Sequence, residues 1–330
     1  MHDTTGRDAG ISAAVQSLTV LVADVRAEAK DVVTLELRAI GGGELPIFTP
    51  GAHLDVHLPN GLVRNYSLSN DCRERNRYVI GVGRAAESRG GSSYVHSSIR
   101  AGEKLKISAP RNNFPLDEDS TSFLFIAGGI GITPIIAMVR WCIANQKPWR
   151  LIYAARSRQR TAFYEELCEL SGDRIQFHFD DERGQVLDVG QAISGWSDGE
   201  TIYCCGPTPL MEAVKTLTEH LPAGTVQFEW FTVPESDEPQ ESSSFTVKLE
   251  RSGVEFEVPE HKSILEVLEE HGFEIPFSCR EGLCGTCVTN VCSGEPDHRD
   301  YVLSDEEREA GKMMTICCSR SKSALLTLDL

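Results

Sequence analysis

The 330-residue chain contains no apolar run long enough to cross a bilayer, which argues against a helical membrane protein. Its opening residues, Met1-His-Asp-Thr-Thr-Gly-Arg-Asp, lack the basic start and apolar stretch of a secretory leader, so a reducing cytoplasm is the expected location. Basic residues are scarce. There are 32 Lys and Arg against 49 Asp and Glu, a net charge of −17, which speaks against nucleic acid and favours a protein partner with a basic face. Seventeen acidic residues against nine basic ones fall between Ser244 and Leu330, where solubility and docking explain the excess equally well. The chain shows no internal repeat. It also lacks the G-x-G-x-x-G fingerprint of the common dinucleotide fold and a second C-x2-C half-site, as zinc would require.

What the chain does have is cysteine in a particular order. Cys279-Arg-Glu-Gly-Leu-Cys284-Gly-Thr-Cys287 is followed thirty residues later by Cys317, the C-x4-C-x2-C…C spacing of a plant-type [2Fe–2S] site. Gly282 and Gly285 let the loop wrap closely and aim amide N–H groups at the sulfurs. A disulfide knot or a zinc site is the competing explanation. Cys317 and Cys318 are adjacent, and Cys317 is preferred as the fourth ligand because it leaves 29 residues after Cys287. Cys72, Cys142, Cys168, Cys204, Cys205 and Cys292 sit among apolar or strand-like neighbours, and most are expected to be buried.

Composition, 41% apolar and 25% charged, is that of a globular protein, and the length suits two or three domains. After a short tail (1–11), residues 12–118 read as short strands with turn punctuation, the pattern of an antiparallel Greek-key β-barrel. Residues 119–232 alternate strand and helix, which predicts a parallel α/β sheet. Its strands are expected at Phe123–Ala127, Arg150–Ala155, Ile175–Asp180 and Thr201–Gly206, with helices at Ile135–Ala144, Ala162–Leu170 and Leu210–Leu217. Residues 233–243 are polar and without periodicity, a linker. Residues 244–330 open with two strands and a helix from about Ser263 to His271 before the cysteine loop, an order that resembles the β-grasp of plant-type ferredoxins.

Two motif sets lie upstream. Arg64-Asn-Tyr66-Ser67 offers a cation for phosphate, an aromatic for a planar ring and a hydroxyl. Ser88-Arg-Gly90-Gly91-Ser92-Ser93 precedes a helix-like stretch and suits an anion cradle. Gly128-Gly129-Ile-Gly131-Ile-Thr133-Pro134 joins a strand to a helix and allows close approach of a pyrophosphate. Cys205-Gly206-Pro207 ends a later strand, and Glu229-Trp230-Phe231 closes the segment. Alone, each short element is as well explained by a surface turn or a plain strand.

Together they resemble the ferredoxin–NADP reductase superfamily, and more closely the phthalate dioxygenase reductase family, over nearly the whole chain. The resemblance implies FMN held by Arg64, Tyr66, Ser67, Gly90, Gly91 and Ser92. It implies a nicotinamide nucleotide on Gly128, Gly129, Gly131 and Thr133, with Cys205, Glu229 and Phe231 where nicotinamide meets flavin. Arg156 and Ser157 follow the second strand, where an arginine suits a 2′-phosphate and an acidic residue rejects one. NADPH therefore stays open, although the family implies NADH. A flavin takes electrons in pairs and releases them singly, which matches a nicotinamide donor to a one-electron cluster. The implied partner is a Rieske-type oxygenase. A stand-alone NAD(P)H reductase feeding a P450 is the alternative, and neither nucleic acid nor membrane is an expected partner.

Overall fold

The computed structural model describes residues 17–85, 88–234 and 242–330; the tail 1–11 and most of the linker lie outside them. The chain forms two compact units, Ser17–Thr232 and a C-terminal one from Val233 to Leu330.

The first unit begins with six strands: β1 Ser17–Ala29, β2 Val32–Ala39, β3 His53–His57, β4 Val63–Ser67, β5 Tyr78–Gly83 and β6 Lys104–Ser108. Helix α1, Gly91–Ser98, lies between β5 and β6. Pairing is antiparallel in the order β4-β3-β6-β1-β2-β5, and a bridge from Leu68 to Ile80 joins the outer strands into a Greek-key barrel. Apolar residues pointing inward from five of the six strands, among them Val20, Leu35, Leu37, Leu54, Ile80 and Ile107, make one core, with half-buried Tyr66 of β4 packed against it. The turn at Pro59-Asn60-Gly61 needs the positive φ of Gly61, 85°.

The same unit continues as a parallel sheet, ordered β11-β10-β7-β8-β9, of β7 Ser122–Gly128, β8 Trp149–Ala155, β9 Ile175–Phe179, β10 Glu200–Cys205 and β11 Val226–Glu229. Helices α2 Ile132–Ala144, α3 Tyr164–Ser171, α4 Asp180–Arg183, α5 Val189–Ile193 and α6 Thr208–Thr218 alternate with the strands. The near-continuous apolar run of β7, with six of seven residues buried, is what a central strand covered on both faces requires.

Several boundaries depart from expectation by one to three residues, α3 beginning at Tyr164 rather than Ala162 and α6 at Thr208 rather than Leu210. Helix α2 starts at Ile132 rather than Ile135, because Pro134 is tolerated in a first turn whose N–H groups have no intrahelical partner. Asp180 leaves β9 to open the acidic first turn of α4. Val226–Glu229 is a fifth strand, pairing Cys205 with Glu229 in parallel register.

The C-terminal unit is a β-grasp. Its five-stranded sheet, β13-β12-β18-β14-β16, contains β12 Phe245–Leu249, β13 Glu255–Val258, β14 Val288–Ser293, β16 Met313–Thr315 and β18 Leu325–Leu328; the short strands β15 Pro296–Asp297 and β17 Arg320–Ser321 pair separately. β12 and β18 run parallel, and their other neighbours are antiparallel. Helix α7, Ile264–Glu270, buries Ile264, Leu265, Val267 and Leu268 in this unit's core. A capping box starts it: Ser263 Oγ accepts from the Glu266 N–H at 3.2 Å, and Glu266 accepts from the Ser263 N–H at 2.8 Å. Ser304 and Glu307 make the same box for α8, Asp305–Ala310. The paired capping boxes fix where both helices begin.

Candidate redox centres

Arg64, Tyr66 and Ser67 all stand on β4, opposite Val56, Leu54 and His53 of β3. The Arg64 guanidinium donates to the Arg89 carbonyl at 3.1 Å and lies across Gly91, where a Cβ would come within 2.6 Å of its Nε. Gly91 is thus needed for the approach of this cation to the start of α1. Gly90 sits before the helix at φ 88° and provides no side-chain cap. Ser88 Oγ organises the turn, accepting from Gly90 N at 3.2 Å, Ser93 N at 3.3 Å and Ser92 Oγ at 3.1 Å. A guanidinium, two hydroxyls and a helix N-terminus in one place suit a phosphomonoester. Burial pushes the phenol of Tyr66 up to about 12, so it stays neutral.

The glycine turn after β7 is pressed against the end of β10. A Cβ on Gly131 would overlap the Cys205 carbonyl, and one on Gly128 would lie 2.5 Å from Pro207 Cδ. Gly129 adopts φ 53°, and its carbonyl accepts from Tyr153 Oη at 2.9 Å. Thr133 is committed inward: it is 1% exposed and its hydroxyl donates to the Ile130 carbonyl at 3.0 Å. Its methyl also limits Gly81 of the barrel, where a Cβ would lie 2.8 Å away. Thr133 therefore shapes the turn and seats it on β5.

Cys205 is fully buried, and burial first, then the neighbouring Glu229 carboxyl, raises its thiol well above the ordinary range. Burial likewise pushes Glu229 up to about 8, with Ser67 Oγ donating to it at 3.4 Å. Phe231, two residues on, is 37% exposed. Ser67, Cys205 and Glu229 come from a barrel strand and two parallel strands, yet they meet at one spot.

At the carboxyl ends of β8 and β9, the Arg156 carbonyl accepts from Asp181 N at 3.2 Å, tying the two loops together. Arg158 lies over Tyr164 and Phe179 and pairs with Glu182 at 3.4 Å, while Arg160 pairs with Asp31 at 2.6 Å. Ser157 begins the turn between them without a side-chain cap.

In the β-grasp unit, Cys279, Cys284, Cys287 and Cys317 are gathered. The Cys279 and Cys284 sulfurs adjoin, and Cys317 adjoins both Cys279 and Cys287. Glu281 N and Leu283 N each donate to Cys279 Sγ at 3.4 Å, and Cys279 N to Cys284 Sγ at 3.5 Å. Four thiols adjoining in this way would hold a two-iron cluster. Cys318 Sγ also adjoins Cys317, and it lies 3.2 Å from Thr315 Oγ1 and against Gly282, whose Cβ would fall 2.6 Å from it. Burial holds for Cys142, Cys204 and Cys205 but not for Cys168 and Cys292, which are exposed because their elements turn those positions to solvent; Cys72 is intermediate. Sequence reasoning passed over Ser88 as the hub of the anion turn and Arg280 in the cluster loop. Only the hydroxyl-rich spacing around Gly90 hinted at the first.

Residues 247–322 match the 2Fe-2S iron-sulfur cluster binding domain, and residues 125–216 match the oxidoreductase NAD-binding domain. Joined to the barrel, they define a nicotinamide-dependent iron–sulfur flavoprotein reductase. The chain is 45% identical to phenoxybenzoate dioxygenase subunit beta of Ectopseudomonas oleovorans, over 92% of this chain and 94% of that one. It is 43% identical to phthalate dioxygenase reductase of Burkholderia cepacia, over 95% and 97% respectively. An intact type IV self-sufficient cytochrome P450 monooxygenase superposes at a TM-score of 0.89 with 36% identity, covering 95% of this chain and 41% of that one. The chain belongs to the phthalate dioxygenase reductase family. With that membership come FMN, a [2Fe–2S] cluster and NADH as its cofactors, and electron-transfer reductase as its activity. Among the described residues no helix is long and apolar enough to cross a membrane.

Proposed function

We propose that this chain is the cytoplasmic reductase component of a Rieske-type oxygenase, drawing electrons from NADH. The observation that carries this reading is similarity over 92% and 95% of this chain to proteins named as components of dioxygenase systems. Eleven free thiols, none paired as a disulfide, suit a reducing compartment.

The residues divide the work as follows. Arg64, Ser92 and the Gly91 N–H would hold the FMN phosphate, with Gly90 shaping the turn, while Tyr66 and Phe231 would flank the ring. Gly128, Gly129 and Gly131 admit the nucleotide pyrophosphate, with Thr133 fixing their turn. Arg156 and Ser157 border the adenosine ribose. Bound flavin converts a two-electron donor into two one-electron deliveries. Ser67 and Glu229 fix the hydrogen-bonding environment where nicotinamide and ring meet, and buried Cys205 excludes water there. Cys279, Cys284, Cys287 and Cys317 hold the cluster. NADH over NADPH is supported by the engagement of Arg158 with Glu182 and of Arg160 with Asp31, which neutralises two of the three guanidiniums beside the ribose position.

The test is to tag the chain, copurify its partner from the native host, and record the partner's low-temperature EPR spectrum after NADH reduction. A Rieske signal is expected. A haem signal would instead favour the second reading, a reductase serving a P450, which the likeness to the P450 monooxygenase supports.

A further inference from the structure

Three residues of the cysteine loop take left-handed backbone: Gly282 at φ 72°, Gly285 at φ 69° and Arg280 at φ 61°. Glycine does this without strain and arginine does not, so something must hold Arg280 there. Its guanidinium forms a two-pronged pair with Glu269 of α7, Nη1 to Oε2 at 3.0 Å and Nη2 to Oε1 at 2.6 Å. It also lies over Phe277, its Cζ 3.9 Å from the ring centroid. The left-handed turn it makes is the one that sends Glu281 N and Leu283 N to Cys279 Sγ. Hydrogen bonds to a ligating sulfur stabilise the more negative, reduced cluster and raise its potential.

We infer that Glu269, Arg280 and Phe277 form a clamp that positions the cluster loop and sets the cluster's reduction potential. The inference rests on Cys279 being a ligand. The clamp spans a capped helix, a strained backbone position and the residues flanking one ligand, so α7 is braced against the residue next to that ligand. These are positioning residues, since none is among the four cysteines assigned to the cluster.

The test uses variants of the full holoprotein that keep charge constant, so that a change of field does not mask a change of geometry. Glu269→Asp withdraws the carboxylate, and Arg280→Lys removes the two-pronged, planar contact. Midpoint potential by EPR-monitored titration and the Fe–S stretching bands in resonance Raman are the readouts, with NADH-driven flavin reduction as a separate check. Both variants should shift the potential to more negative values and raise the Fe–S stretch, leaving the rate of flavin reduction unchanged. Arg251→Lys, in an ion pair with Asp329 in the same unit, should shift neither. Unchanged potentials in both clamp variants would overturn the inference. So would an equal shift in Arg251→Lys, which would mark a general loosening of the unit. Loss of cluster binding on Cys279→Ala separates this question from the ligand assignment: an unchanged [2Fe–2S] signal would remove Cys279 as a ligand and the clamp with it.

Discussion

Ser67 Oγ donates to Glu229 Oε2 at 3.4 Å, linking a barrel strand to the last strand of the parallel sheet across 162 residues of sequence. Cys205 pairs with Glu229 in the sheet register, so Glu229 neighbours both. If this group orients the nicotinamide, Ser67→Ala or Glu229→Gln should slow NADH-driven flavin reduction about 10- to 100-fold. Stopped-flow bleaching of the flavin measures it, and the cluster's visible spectrum should not change.

The same carboxyl gives a pH signature. Burial holds Glu229 protonated up to about 8, against an ordinary 4.5. Between these values the folded protein keeps a proton that the unfolded chain releases, so this site loses stability as pH rises from 4.5 through 8. The flavin-reduction rate should break near pH 8 in the native chain and run level in Glu229→Gln. A break that survives the substitution would assign it to another group.

Close approach at the glycine turn predicts a different failure. Gly131→Ala places a methyl on the Cys205 carbonyl and Gly206 N, both backbone atoms that cannot swing aside. The turn must move, costing about 1–3 kcal/mol by analogy with overpacked cores. KM for NADH should rise while direct chemical reduction of the flavin is spared. Gly129→Ala has no atom to strike within 4 Å and is limited only by its φ of 53°, so it should be the milder change.

These contrasts mark what the sequence could and could not convey. The β7 apolar run, the strand–helix alternation and the cysteine spacing depend on local order, so barrel, parallel sheet and β-grasp were legible from residue patterns. The meeting of Ser67 with Glu229 was not, because it depends on how β4 and β11 are brought together by the whole unit. Val226–Glu229 is a strand through its partner β10; four residues carry too little alternation to announce it. Thr133 reads as a ligand in the motif, yet its hydroxyl is spent on the Ile130 carbonyl. Arg280 gave no signal, since a positive φ at a non-glycine residue is imposed by distant contacts.

Adjacent cysteines allow a direct comparison. Cys317 Sγ adjoins Cys279, Cys287 and Cys318, whereas Cys318 Sγ, beside Cys317, also rests on Gly282 and Thr315 Oγ1. Cys317→Ser should abolish or greatly alter the reduced EPR signal, and Cys318→Ser should retain it. The reverse result would make Cys318 the fourth ligand and require the loop to re-register by one residue.

His53 predicts how the first unit responds to acid. It is 5% exposed, and among the described residues its Nε2 has no hydrogen-bond partner. Burial first, and then the Arg111 guanidinium, lowers its pKa from 6.5 to about 4, while Asp55 partly opposes them. Below 6.5 the unfolded chain takes up a proton that the folded one refuses until about 4, so stability falls as pH drops through this window. The full effect is roughly 3 kcal/mol, and about half of it should be gone by pH 5. All four tryptophans lie between residues 141 and 230, so their fluorescence follows this unit. Urea unfolding at pH 7 and pH 5 should show the loss, and His53→Gln should shrink the difference between the two pH values whatever it does to stability at pH 7. An undiminished difference in His53→Gln would place the acid response on another group.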